Sequence, residues 1–113
     1  MEDINRLKGI ILKLLNDMKK AMEDYDWDYC KEKNQEFGRA MKKIKELKQI
    51  TTTESLPPEL ARDIIIAMIQ QKEHMRQTEI PKLAERAKEL FPESEKELQK
   101  KMGEAVKWLR DLR

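Results

Sequence analysis

The chain has 113 residues, enough for one domain with one hydrophobic core, and 41% of them are charged. It contains only three glycines and four prolines, a composition that favours long helices with solvated faces over sheets or disorder. The 24 basic and 22 acidic residues are finely mixed, which argues against a nucleic-acid footprint, and no apolar run approaches the roughly 20 residues of a membrane span.

The single cysteine, Cys30, excludes an internal disulfide and is typical of a protein in a reducing compartment. The N-terminal residues Met1-Glu2-Asp3 are acidic and lack the pattern of a secretory signal. We therefore expect a cytoplasmic protein with one domain over residues 1–113, in which Cys30 is a small core residue.

The first helical pattern covers residues 4–25 and the second covers residues 27–49. In the first, apolar residues recur in a stripe wide enough to pack against two neighbours. The members of this stripe are Ile4, Leu7, Ile11, Leu14, Met18, Ala21 and Tyr25, and the residues that widen it are Ile10, Leu15 and Met22. The second pattern is less apolar and consists largely of Lys, Glu and Gln.

The two patterns meet at Tyr25-Asp26-Trp27-Asp28-Tyr29, where aromatic and acidic residues alternate. Asp26 is placed to cap a helix that begins at Trp27, and Asp28 adds negative charge to the first turn of that helix. Trp27 is placed to pack on the end of the preceding helix. We interpret the segment as a tight corner between two helices rather than as an aromatic binding platform.

Leu56-Pro57-Pro58-Glu59 predicts the start of a third helix, because proline fits a first turn whose amides have no partners. The residues that follow are apolar around most of the helix: Leu60, Ala61, Ile64, Ile65, Ile66, Ala67, Met68 and Ile69. A helix at the surface of a bundle needs only one apolar stripe, so this helix is either central or has a second face that something else covers. Pro81 predicts a kink or break near Glu79-Ile80.

A second interruption is predicted at Phe91-Pro92-Glu93, followed by a C-terminal helix over residues 94–113. Ser94 with Glu97 matches a capping box, which signals a helix start. The helix carries an apolar stripe with two flanking residues: Leu98, Met102, Ala105, Leu109 and Leu112, with Val106 and Trp108 beside them. Such a helix is suited either to complete the core or to cover a groove and come off.

The sequence as a whole predicts an all-α, antiparallel up-and-down helical bundle. It consists of three long helices, the third kinked near Pro81, plus the C-terminal amphipathic helix. In this prediction residues 1–91 form the core bundle, and residues 94–113 form the C-terminal helix.

Residue chemistry gives little support for catalysis or for a metal site. His74 is the only histidine, and it lacks the Lys and Gly that follow the histidine of phosphotransfer domains, so we interpret it as a solvated surface residue. A di-iron bundle needs two Glu-x-x-His pairs, whereas Gln71 stands three positions before His74. Cys30 has no Cys or His at zinc-ligand spacing and no base other than His74. We predict no catalytic residue, no metal and no cofactor.

One enzyme class stays open as an alternative. Compact helical enzymes such as the chorismate mutases gather several cations around a dianion. The candidates for such a set are Arg6, Arg39, Arg62 and Lys72. A cluster of these side chains in a closed pocket would favour that alternative.

The remaining signal is apolar surface. Seven methionines are many for this length, and their unbranched side chains adapt to irregular partners. The apolar surplus of the third helix beside the polar second helix predicts a groove for an amphipathic helix of a protein partner. The predicted contact residues are Met41, Ile44 and Leu47 on the second helix, and Ile65 and Ile69 on the third.

The order of these features resembles the flagellar export chaperones of the FliT type. The matching segments are Tyr25-Asp26-Trp27-Asp28, the helix through Phe37 and Met41, Leu60-Ala61-Arg62-Asp63-Ile64-Ile65, and Ile69-Gln70-Gln71-Lys72-Glu73. The resemblance covers roughly residues 5–90, and the kink near Pro81 departs from the family pattern.

This resemblance implies a bundle in the bacterial cytoplasm that binds the C-terminal region of the filament-cap subunit, keeps it soluble and presents it to the type III export machinery. It also implies a C-terminal helix that folds over the binding groove and regulates access, a role for Leu98, Met102, Trp108 and Leu109. The alternative is a homo-oligomeric structural or adaptor bundle with no secretion role, in which the apolar surplus of the third helix forms a homodimer interface.

Overall fold

The computed structural model describes the backbone of residues 3–78 and 81–112, and the side chains of residues 3–74 and 93–112. Four helices account for nearly all of it: α1 over Ile4–Glu23, α2 over Trp27–Leu47, α3 over Pro57–Thr78 and α4 over Pro81–Asp111. The described residues contain no β-strand. The all-α prediction is confirmed.

The helices form an antiparallel up-and-down bundle, as predicted. α1 packs along α2, α3 packs along α4, and α1 and α3 meet in the middle. Two contacts set the direction of α3 against α2. Lys45 Nζ lies 2.7 Å from Glu59 Oε1 at one end of the bundle, which we call the foot. Lys72 Nζ lies 5.8 Å from the centre of the Tyr25 ring at the other end, which we call the corner.

Among the described residues, α1 supplies the largest share of the core because it lies between α2 and α3. Its buried residues are Leu7, Ile11, Leu14, Leu15, Met18, Ala21 and Met22. The other helices add Cys30, Phe37, Ala40, Met41 and Ile44 from α2, Ala61, Ile65, Met68 and Ile69 from α3, and Leu98, Ala105 and Leu109 from α4. The wide apolar stripe predicted for the first helix is thus confirmed except at Tyr25, which lies beyond the end of α1 and is 43% exposed.

The turn between α1 and α2 combines a left-handed residue with a capping aspartate. Tyr25 has a φ of 58°, and its amide donates to the Met22 carbonyl. The Asp26 amide donates to the Ala21 carbonyl at 2.9 Å, which completes a Schellman motif and ends α1 before Tyr25. The Asp26 carboxylate then accepts a bond from the Tyr29 amide at 3.0 Å. The predicted cap and tight corner are confirmed.

The predicted break near Pro81 is confirmed, since α3 ends at Thr78 and α4 begins at Pro81. Pro81 takes the first position of α4, where its missing N–H leaves no bond unmade. Glu79-Ile80, the predicted position of the break, lies outside the described residues. The apolar periodicity beyond Pro81 continues in α4.

The second predicted interruption, at Phe91-Pro92-Glu93, is wrong, because α4 runs unbroken through this segment. Ser94 and Glu97 lie inside the helix, so no capping box starts a separate helix at residue 94. A proline inside a helix costs about 3 kcal/mol. The buried side chains of Leu98 and Leu109 contribute about 1.5 to 3 kcal/mol each, and this packing of α4 on the bundle offsets the cost.

Candidate functional site

Four of the five predicted partner contacts are core residues in this structure. Met41 is 3% exposed and Ile44, Ile65 and Ile69 are fully buried, whereas Leu47 at the end of α2 is 51% exposed. The five side chains therefore do not form one surface. α2 uses its apolar stripe to pack within the bundle. Because most residues of α2 are polar, its sequence does not show that all of this stripe is needed for the core. A partner role for the four buried residues stays a prediction that requires the core to open.

The predicted regulatory residues all face the bundle from α4. Leu98 and Leu109 are 2% and 1% exposed, and Met102 and Trp108 are partly buried against the same core. The apolar stripe of the C-terminal sequence is therefore the stripe by which α4 docks.

α4 is nevertheless a peripheral element. It packs along α3, touches α1 only lightly and, over the described backbone, does not meet α2. A cleft of about 200 Å³ separates it from the end of α1, with Met22 on one side and Leu98 on the other. α4 therefore reaches the rest of the bundle mainly through α3.

The central position of α3 explains its apolar surplus. α1 packs on α3, and so does α4, so that the two faces predicted from the sequence are covered within one chain. The residues concerned are Ala61, Ile65, Met68 and Ile69, which are buried, and Ile64 and Ile66, which are partly buried.

A groove of about 370 Å³ runs between α1 and α2 at the surface, and we call it the α1–α2 groove. Apolar side chains form its floor and mainly basic ones line its walls: Leu7, Ile10, Leu14 and Ala40 below, with Arg6, Lys13, Lys33, Arg39, Lys43, Asp17 and Glu36 around them. Lys33 pairs with Glu36 at 3.1 Å. By contrast, Arg6, Lys13 and Arg39 make no ion pair with any residue that the structure describes.

Sequence reasoning missed this groove. Its wall residues are spaced three, four or seven positions apart on each helix, the spacing of one helix face. That spacing does not reveal which face of α1 meets which face of α2, because both helices also carry charges on their other faces.

The four cations of the enzyme alternative do not converge. Arg6 and Arg39 line the α1–α2 groove. Arg62 Nη2 lies 2.9 Å from Asp63 Oδ1 on α3, and Lys72 lies at the corner. Since the groove is open and holds only half of the set, this arrangement does not favour an enzyme of that class.

The two residues with reactive side chains do not form a site. Cys30 is fully buried, and burial, with a smaller contribution from the Asp26 carboxylate, raises the pKa of its thiol from 9.0 to about 11. The thiol is therefore protonated at neutral pH and lacks the thiolate that nucleophiles and metal ligands need. His74 is exposed, as predicted. Within the described part of the chain, no three His, Cys, Asp or Glu side chains are grouped closely enough to hold a metal ion.

Among the helices of the described residues, none combines the length and the apolar character needed to cross a membrane. Comparison of the chain with protein-family models, with curated proteins and with solved structures finds no significant match. The resemblance to the flagellar export chaperones therefore stays a prediction.

Proposed function

We propose that this chain is a non-catalytic protein-binding module of the flagellar export chaperone kind, in which α4 guards the apolar face of α3. The observation that carries the proposal is the placement of α4: an amphipathic helix that docks through Leu98 and Leu109, yet packs almost entirely on one neighbour. A partner helix with the same apolar spacing would fit the same face.

Tethering makes α4 a strong competitor for that face. A covalently linked helix acts at an effective concentration of about 1 mM, so a partner present at about 1 μM must bind roughly 10³-fold more tightly to displace it. This factor corresponds to about 4 kcal/mol. Docked α4 thus keeps the apolar face covered until a specific partner arrives, which is a chaperone's requirement.

The resemblance supplies the partner in this proposal. It is the amphipathic C-terminal segment of a filament-cap-type subunit, bound in the bacterial cytoplasm before type III export. The alternative, a homo-oligomeric bundle joined through the apolar face of α3, has less support, because α1 and α4 already cover that face.

The test uses the full chain and calorimetric titration with the C-terminal peptide of a flagellar cap subunit. Leu98→Ala with Leu109→Ala loosens α4, since each buried truncation costs about 2 to 5 kcal/mol. Lys100→Ala with Lys107→Ala is the matched control, because both lysines are exposed on the same helix. Circular dichroism checks that α1 to α3 stay folded.

We expect the loosened variant to bind the peptide at least about tenfold more tightly than the wild type, while the control matches the wild type. Equal affinity of the wild type, the loosened variant and the control for the peptide would refute the guarding role of α4. No binding by any folded form would remove the cap subunit as the partner.

A further inference from the structure

The charges on α1 and α2 change sign from the foot of the bundle to the corner. At the foot, Arg6, Arg39 and Lys43 line the α1–α2 groove. At the corner, the segment 24–28 carries three exposed carboxylates and no basic residue: Asp24, Asp26 and Asp28. The hairpin formed by these two helices is therefore positive at one end and negative at the other.

The part of the groove between these ends carries both signs. Lys13 and Asp17 face it from α1, and Lys33 and Glu36 face it from α2. Tyr29 extends the α2 wall toward the corner, since Lys33 Nζ lies 5.2 Å from the centre of its ring. The Tyr29 side chain is 37% exposed, one of three exposed large apolar or aromatic residues among those described. The surface thus combines a charge gradient with an exposed aromatic and an apolar floor.

If a second copy is rotated by 180° about an axis that lies in the plane of this face, perpendicular to the helices, its negative end lies opposite the positive end of the first copy. We infer that the α1–α2 face binds the same face of a second copy, antiparallel, so that each acidic corner meets the basic foot of the other copy. The mixed middle section then lies on the two-fold axis, where lysines oppose carboxylates. An acidic partner helix would satisfy the foot and leave the corner acids unused, and a nucleic acid would be repelled by them.

The size of the face fits a weak, isologous dimer. α1 has 20 residues and is about 30 Å long, and two helices side by side are about 20 Å wide. The face therefore offers at most roughly 600 Å² per copy, or about 1,200 Å² in total, which is the lower limit for specific interfaces. Because the interface is largely ionic, salt should weaken it strongly.

Sedimentation equilibrium of the full chain tests this inference. The mass should rise above 13.5 kDa toward that of a dimer as the concentration rises from about 1 μM to about 1 mM, and the dissociation constant should increase at least about tenfold in 0.5 M NaCl. A monomer throughout this range would overturn the inference. So would growth beyond the dimer, because a closed two-fold contact ends at two copies.

Charge reversal identifies the surface. The foot variant is Arg6→Glu, Arg39→Glu and Lys43→Glu, and the corner variant is Asp24→Lys and Asp28→Lys. Asp26 is left in place because it caps α2. Each variant alone should be monomeric, since like charges then face each other, and an equimolar mixture should form a heterodimer, since both contacts become attractive again.

A third variant, Lys100→Glu, Lys107→Glu and Arg110→Glu, changes charge equally on the exposed side of α4 and should dimerise like the wild type. Loss of association in this variant, or a mixture of foot and corner variants that stays monomeric, would overturn the proposed surface. Circular dichroism reports whether each variant is helical. The salt dependence of the wild type tests the inference even where a reversed variant fails to fold.

Discussion

Asn34 interrupts the buried stripe of α2 between Cys30 and Phe37, one helical turn from each. Its Oδ1 atom is shielded from solvent and has no hydrogen-bond partner among the described residues. A shielded oxygen without a partner loses its bonds to water and gains nothing in return, at a cost of about 1 to 3 kcal/mol. Replacing this side chain by an apolar one of the same shape should therefore stabilise the protein.

Leucine is the appropriate replacement because its side chain has the same number and branching of heavy atoms as asparagine. Asn34→Leu removes the unpaired oxygen, adds apolar burial and gains a few tenths of a kcal/mol of helix propensity. We expect the free energy of unfolding to rise by about 1 to 3 kcal/mol. With a urea m-value of about 2 kcal/mol/M, the unfolding midpoint should move up by about 0.5 to 1.5 M.

The assay is urea unfolding followed by circular dichroism, with Gln35→Leu as the matched control. Gln35 is the exposed neighbour on the same helix, so the same kind of substitution there should change stability by no more than about 0.5 kcal/mol. A midpoint for Asn34→Leu at or below that of the wild type, with an unchanged m-value, would refute the reasoning. It would show that the amide has a partner that stabilises the fold.

Three other changes have expected outcomes in unfolding experiments. Asp26→Ala removes the bond to the Tyr29 amide and should lower the free energy of unfolding by about 1 kcal/mol, more than the neighbouring Asp28→Ala does. Gln49 has a φ of 53° at the end of α2, a conformation that glycine adopts without strain. Gln49→Gly should therefore raise the free energy of unfolding by about 1 kcal/mol, whereas the control Gln35→Gly, at an exposed helical position, should lower it by about as much. Because burial raises the pKa of Cys30 from 9.0 to about 11, the unfolded chain loses the thiol proton first as the pH rises, so stability should be constant below about pH 9 and fall as the pH approaches 11. In Cys30→Ala, the decrease in stability between about pH 9 and 11 that comes from the thiol should be absent. An identical decrease in both proteins would refute the assignment of this decrease to Cys30.

Local signals carried most of the fold prediction. Asp26, Pro57 and Pro81 each act within one helical turn, and the structure has a helix start at or just after all three. The ends of α1 and α2 were predicted two residues too late, because Tyr25 and Gln49 adopt a left-handed conformation that glycine usually marks. The helix break predicted at Pro92 was wrong for the opposite reason. It carries a strong local signal, but the docking of α4 through the buried Leu98 and Leu109 outweighs that signal.

The candidate site was harder to predict, because burial depends on which helix faces which. Ile44 and Ile65 have the apolar character of a binding surface, but they occupy the core. Arg6 and Arg39 are 33 positions apart in the sequence, and only the antiparallel pairing of α1 and α2 brings them to one groove. Periodicity identifies faces of helices, whereas a site between helices depends on their pairing.

The two proposed surfaces lie on different parts of the bundle, and this separation sets their thermodynamic relation. α4 packs on α3 and does not meet α2 over the described backbone, whereas the α1–α2 hairpin is fixed by its own capped corner and by the buried contacts of Phe37 and Ile44. Displacement of α4 would therefore leave the α1–α2 face unchanged, and the coupling free energy between partner binding and dimer formation should be close to zero. The prediction is that Leu98→Ala with Leu109→Ala leaves the dimer dissociation constant unchanged while it raises affinity for the cap peptide. A change in both constants would mean that α4 supports the packing of α1 on α2, and the two surfaces would then be one system.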